Sequence, residues 1–144
     1  MGGRNQVQLL CGLHMEVKMA TWRELSEDSL LAAEALLQEG RYRSCISRAY
    51  YAAYCAATHE IVQKLTTFSY GRNNPSHELL SGYIQNNLTI SKTKKDIVST
   101  LSILLRFYRE DADYRPLIEI DRAIAQECIR AAIEVQQELW GTTK

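Results

Sequence analysis

Residues 42–65 read YRSCISRAYYAAYCAATHEIVQKL, without a glycine or a proline. Ile46, Ala49, Tyr50, Ala53, Ala57, Ile61 and Leu65 recur at spacings of three and four, the period of one face of an α-helix. Ala49, Ala52, Ala53, Ala56 and Ala57 fill the middle. Alanine favours helix and lets a neighbouring backbone come close. A helix over Tyr42–Leu65 is therefore expected at the centre of a helical bundle.

Glycine and proline punctuate the chain on both sides of this segment. Upstream, a helix is expected over Trp22–Gln38, with Thr21 as N-cap and Gly40 as the stop. Downstream, Thr66–Pro75 is rich in Thr, Ser, Gly and Asn and reads as a loop. Ser76 is a suitable N-cap for a short helix over His77–Leu88. A fourth helix is expected over Lys92–Asp113, since Pro116 disfavours helix at Arg115. A fifth is expected from Asp121 to Gly141, with Ala125, Cys128, Ile129, Ala132, Ile133 and Leu139 as its apolar stripe. No strand-like alternation of useful length and no internal repeat occurs. The fold class is all-α, an antiparallel four- to five-helix bundle over residues 21–144. Residues 1–20 lack periodicity and read as a disordered or extended tail, or as an upstream extension of a chain that begins at Met15 or Met19.

Composition limits the functional classes. Of the 144 residues 46% are hydrophobic and 24% charged, ordinary for a folded globule. The chain holds no apolar run long enough to span a membrane. Lys+Arg and Asp+Glu are both 17, so any contact with nucleic acid must use a local patch rather than bulk charge. Residues 21–40 carry five acids and one base, and residues 41–72 carry five bases and one acid. Mutual pairing of two solvated helix faces explains part of this. The alternative is a basic surface of Arg41, Arg43, Arg48, Lys64 and Arg72. Cys11, Cys45, Cys55 and Cys128 form no CxxC pair and no zinc-spaced Cys/His cluster. Reduced thiols, a cytoplasmic location, no metal and no cofactor are the expectations. No Gly-rich phosphate loop is present.

The fourth helix carries two apolar stripes. Ile97, Val98, Leu101, Leu104, Leu105, Tyr108 and Ala112 form the core face. Arg106 and Asp113 project nearly opposite to it, and Arg109 lies at the boundary, one turn before Asp113, where the two can pair. Ile103, Phe107 and Tyr114 make a second, separate stripe. A helix apolar on two sides is either sandwiched in its own domain or used by a partner. The partner reading predicts a homodimer with Ile103, Phe107 and Tyr114 at the interface.

Three short strings resemble one family. Ser47-Arg48-Ala49-Tyr50-Tyr51-Ala52-Ala53-Tyr54 is similar to the second-helix signature of HEPN domains (higher eukaryotes and prokaryotes nucleotide-binding). Ser76-His77-Glu78-Leu79-Leu80 resembles the opening of that family's third helix. Arg109-Glu110-Asp111-Ala112-Asp113-Tyr114 resembles the Arg-x-x-Ala-Asp-Tyr ending of its fourth. The resemblance covers about residues 20–140 and implies a small helical bundle, commonly dimeric. It also implies a frequent pairing with a minimal nucleotidyltransferase as a toxin–antitoxin pair. Many members are metal-independent ribonucleases with an Arg-x4–6-His motif, in which histidine moves protons and arginine holds the scissile phosphate.

This chain departs from that motif, because Tyr114 stands where catalytic members carry histidine after Arg109. Tyrosine, with an ordinary pKa of about 10, is a poor general base at neutral pH. Arg109, Asp113 and Tyr114 are then candidates for binding a phosphate, a base or a partner, against a structural ion pair with a packed aromatic. Arg48 and Tyr51 join them as ligand-binding candidates, since aromatics beside arginines suit single-stranded nucleic acid. Tyr54 is a further candidate for stacking. A second pattern, Arg72-Asn73-Asn74-Pro75-Ser76-His77, satisfies Arg-x4-His outside the fourth helix. It supports an alternative in which Arg72 and His77 are catalytic, or in which Arg109 works with a histidine from elsewhere. His77 as a capping or packing residue is the plain reading. His59 and His14 have no convincing partner. The leading expectation is a binding module for nucleotide or RNA that engages a nucleotidyltransferase. A ribonuclease toxin and a ligand-free helical adaptor are the alternatives.

Overall fold

The computed structural model describes residues 19–141. The tail expected over residues 1–20, with Cys11 and His14, lies outside the described residues except for Met19 and Ala20. Five α-helices follow: α1 Trp22–Gln38, α2 Tyr42–Ile61, α3 Leu80–Asn87, α4 Lys92–Tyr114 and α5 Arg122–Trp140. A 3-10 turn at Ser69–Gly71 interrupts the α2–α3 loop. No strand occurs among the described residues, so the all-α bundle stands.

The caps explain the starts. Thr21 Oγ1 accepts from the Glu24 amide at 3.0 Å, and Glu24 Oε1 accepts from the Thr21 amide at 2.9 Å, a reciprocal capping box. Ser91 and Asp121 accept from Lys94 and Ile124 in the same way. Gly40, at φ +76, ends α1 in the left-handed region.

Several ends differ from expectation, two of them by three residues or more. Helix α2 stops at Ile61, four residues short of Leu65. Lys64 and Leu65 both donate to the Ile61 carbonyl in a closing turn. Gln63 and Lys64 are exposed there, while Val62 and Leu65 pack against the core from the closing turn itself. Helix α3 begins at Leu80 rather than His77. Ser76 caps a turn instead, its carbonyl and Oγ accepting from the Leu79 amide at 3.2 and 3.3 Å. The Tyr54 hydroxyl donates to the Pro75 carbonyl at 2.6 Å, and Tyr50 bonds His77. Residues 75–77 are thus tied to α2 and cannot coil. Helix α4 runs one residue past Asp113.

Helix α2 touches each of the other four helices. Its alanines are fully enclosed, with Ile46, Tyr50 and Ile61 among them. Val98 and Leu105 from α4 and Ala125, Cys128, Ala132 and Val135 from α5 complete the core. Ser26 Oγ donates to the Ala52 carbonyl at 2.6 Å and accepts from Gln136 at 2.9 Å, joining α1, α2 and α5. Cys45, Cys55 and Cys128 are free and buried. Burial pushes the Cys45 and Cys55 thiols up to about 11 and the Cys128 thiol up to about 12, so they stay protonated at neutral pH.

Arg43, near the start of α2, fastens the far end of α4. Its guanidinium donates to the carbonyls of Asp111, Ala112, Arg115, Pro116 and Ile118. Carbonyls left open at a helix C-terminus favour a cation there. The last turn of α4, which carries Arg109 to Tyr114, is thereby held against α2.

Candidate phosphate-binding site

The turn before α3 brings His77 against the tyrosines of α2. Its Nδ1 lies 2.5 Å from the Tyr50 hydroxyl. The Tyr54 ring stands 4.5 Å away, that of Tyr50 5.5 Å and that of Tyr51 5.9 Å. Tyr50 is almost fully buried, and burial raises its pKa despite the nearby Arg109. The phenol therefore keeps its proton. Nδ1 is the acceptor within reach, so Tyr50 donates to it and the proton of neutral His77 sits on Nε2. Burial, then Arg109, Arg106 and Arg72, lower the His77 pKa below its ordinary value. His77 is neutral at pH 7.

Arg109 projects from the last turns of α4 into the same cluster. It is only 9% exposed. Its guanidinium carbon lies 5.1 Å from the Tyr50 ring, 5.7 Å from Tyr51 and 5.8 Å from Tyr114, within cation–π range. Nη1 is 3.7 Å from Asp113 Oδ2, a long ion pair, and Asp113 also accepts from Ser47 at 3.3 Å. Nε of Arg109 is buried without a partner. A buried N–H left unpaired is costly, and a cluster of such groups marks a place where something else can bind.

A cavity of about 550 Å³ opens over this cluster, lined by Arg72, Arg106 and Arg109, by His77, and by Ser69, Tyr70, Ser76, Glu78 and Leu79. Three guanidinium groups and the Glu78 carboxylate line it, with Arg106 and Arg109 also paired to Glu110 and Asp113 beside it. Arg106 is held by Glu110 at 3.3 Å and lies 3.9 Å from Glu78. A small recess of about 50 Å³ shares His77, Glu78 and Arg106 with the cavity and is lined also by Tyr50, Ser102, Ile103 and Phe107. Ser102 Oγ is buried there without a partner.

The two candidate sets thus meet. Arg72 and His77, taken from the loop, and Arg109, taken from the family-like ending of α4, line one cavity. Arg48 lies 4.8 Å over the Tyr51 ring, which in turn faces Arg109 and His77. Asp113 is the long ion-pair partner of Arg109. Ile103, Phe107 and Tyr114 are not covered by their own domain: they are 45%, 62% and 70% exposed. Tyr54 is corrected: it is buried, and its hydroxyl is committed to Pro75, so it offers no face to a base. Arg106 does not simply project away from the core, because it leans back onto the cavity. Its spacing of three from Arg109 was the available signal. Tyr50 reads as plain core from periodicity, and nothing local reveals its bond to His77. Among the described residues no group of three His, Cys, Asp or Glu could hold a metal ion, and no helix is long and apolar enough to cross a membrane.

A family model described as HEPN domain matches residues 19–139. Neither the curated proteins nor the solved structures include a match to the chain.

Proposed function

The chain belongs to the HEPN domain family, and from that premise we propose that it binds the phosphate of RNA or of a nucleotide in the cavity of Arg72, Arg106, Arg109 and His77. The observation that carries this reading is Arg109, a guanidinium nine-tenths buried with Nε unpartnered, on the wall of a cation-lined cavity. A phosphate held against this wall would offset part of the positive charge there, and a small turn of the guanidinium toward the cavity would bring Nε, which has no open surface of its own, within reach of a phosphate oxygen. Arginine is suited to this by its planar fork of donors. Fluorescence anisotropy with a labelled single-stranded RNA tests it. Arg109→Ala is expected to weaken binding ten-fold or more, and unchanged affinity rejects the site.

Catalysis is the second reading, supported by His77. The histidine missing after Arg109 in the chain is supplied from the turn before α3. To take the proton of a ribose 2′-hydroxyl as its oxygen attacks the adjacent phosphorus, His77 must adopt its other tautomer, with Nδ1–H donating to the Tyr50 oxygen and Nε2 bare beside the phosphate-holding arginine. The 5′-oxygen then leaves, protonated by an acid or by water, and a cyclic phosphate remains. Incubation with RNA in EDTA tests this. Cleavage lost in His77→Ala, with binding kept, supports the enzyme. No cleavage by the wild type leaves the binding module.

We also assign the uncovered stripe of Ile103, Phe107 and Tyr114 to a second copy of the chain. Ile103 and Phe107 border the recess that shares His77 and Arg106 with the main cavity. A symmetric contact there would set two arginine clusters beside one another. A minimal nucleotidyltransferase partner, a toxin–antitoxin role and a cytoplasmic location are part of the same reading. Co-purification with the product of a neighbouring nucleotidyltransferase gene checks the partner.

A further inference from the structure

Tyr70 sits on the rim of the phosphate cavity in a conformation that its own chain does not reward. It is the one non-glycine residue with positive φ among the described residues, at φ 63 and ψ 29. Its side chain is 95% exposed. A left-handed backbone is unfavourable for a bulky residue, and such strain concentrates where a ligand is bound. The loop around it is built rather than loose. Phe68 is buried, with its ring 5.3 Å from that of Tyr83, edge to face. The Phe68 amide donates to the Arg72 carbonyl at 3.1 Å, and the Arg72 amide to the Ser69 carbonyl at 3.4 Å. One closed loop therefore sets an aromatic ring at its tip and a cavity arginine at its base.

We propose that Tyr70 is a stacking platform, so that the site takes a nucleotide unit whose base is unpaired: phosphate on Arg72, Arg106 and Arg109, base against the Tyr70 ring. The proposal rests on the phosphate reading above. An anion alone has no use for an exposed ring, whereas a nucleotide presents a flat apolar face a short distance from its phosphate. The cavity, about 550 Å³, is within the range of small-ligand sites. A base within a duplex has both faces occupied, so the ring discriminates against paired strands. Free nucleotide and single-stranded RNA share this chemistry.

The test is affinity of the full chain for four probes: a labelled single-stranded RNA, its duplex, AMP and ribose 5-phosphate. Tyr70→Ala removes the ring, Tyr70→Gly removes it and relieves the backbone, and Tyr70→Phe keeps it. The expected result is a loss of about ten-fold or more for single-stranded RNA in the Ala and Gly variants. Ribose 5-phosphate is expected to bind as before, and Tyr70→Phe to behave as wild type. A parallel loss for AMP assigns the site to free nucleotide as well; loss for RNA alone assigns it to strands. The proposal is overturned if Tyr70→Ala is silent with every probe, as a ring used by a protein partner would be. It is overturned too if ribose 5-phosphate falls equally, which marks a loop-shaping role. If the wild type binds the strand and Arg109→Ala abolishes it while Tyr70→Ala does not, stacking alone fails. If the wild type binds no probe, the phosphate reading fails and stacking fails with it.

Discussion

Arg109 stands in a place where stability and function pull apart. Three aromatic rings and a long ion pair hold its guanidinium, yet Nε finds no acceptor. Removing one partner of a fully buried ion pair is destabilising, but Asp113 is part-exposed and also held by Ser47, so losing this long pair costs little, while the unpaired Nε and the buried charge of Arg109 are removed with it. Arg109→Met is therefore expected to leave the urea midpoint unchanged or raised while RNA binding is lost; a midpoint that falls sharply would make Arg109 a structural residue. His77 gives a second residue-scale test. Its pKa is lowered in the fold, so below the ordinary value of about 6.5 the unfolded chain binds the proton more readily than the native one. Stability is whole above that pH and declines as pH falls toward the native pKa. Urea melts between pH 7 and pH 5 should show this decline, and His77→Gln should flatten it. Bound phosphate works in the opposite sense, because an anion favours the imidazolium.

Among the elements, α2 bears the closest packing and α4 the greatest dependence on a distant residue. Ala53 is fully enclosed where helices cross, so Ala53→Leu overfills the contact. A loss of about 1–3 kcal/mol in urea unfolding is expected. Arg43 donates to five carbonyls at the end of α4 and in the following loop. Arg43→Ala should cost about 1–3 kcal/mol, the range for a hydrogen bond to a charged group and the acceptors it abandons. Amide exchange at residues 112–118 should quicken in that variant while the middle of α2 stays protected. Uniform exchange across the chain would show that Arg43 holds the whole bundle rather than one helix end. Both helices were legible from periodicity and from Gly/Pro punctuation. Their ends were less so: Leu65 reaches the core from a closing turn on the Ile61 carbonyl rather than from α2, and His77 lies before α3 because Tyr50 and Tyr54 take hold of the chain first.

At the scale of the molecule, the outstanding feature is the apolar stripe of α4 left open beside a cationic cavity. Phe107 is 62% exposed and Ile103 45%, a pattern that marks interaction surfaces. If a second copy covers it, Phe107→Glu should convert a dimer to a monomer in sedimentation equilibrium with an unchanged far-UV spectrum. A wild-type monomer at micromolar concentration would remove the dimer proposal without touching the phosphate site. The family-like ending Arg109–Tyr114 was readable as a candidate, and so was the pair Arg72 and His77. Their convergence was not. Residues 50, 77 and 109 lie on three different elements, and no local spacing records that one phenol bonds one imidazole under a third residue's guanidinium.

The amino-acid sequence by itself determined the all-α class, five helices in order, the Thr21 cap and the family, because helical period, capping and breaking are short-range effects written within a few residues of each other. The tertiary structure alone decided that two separate candidate motifs share one cavity, that Arg109 is buried with a donor to spare, and that Tyr70 stands strained above it. Those facts depend on how α2, the turn before α3 and the end of α4 meet, and such meetings are set by the packing of the whole core.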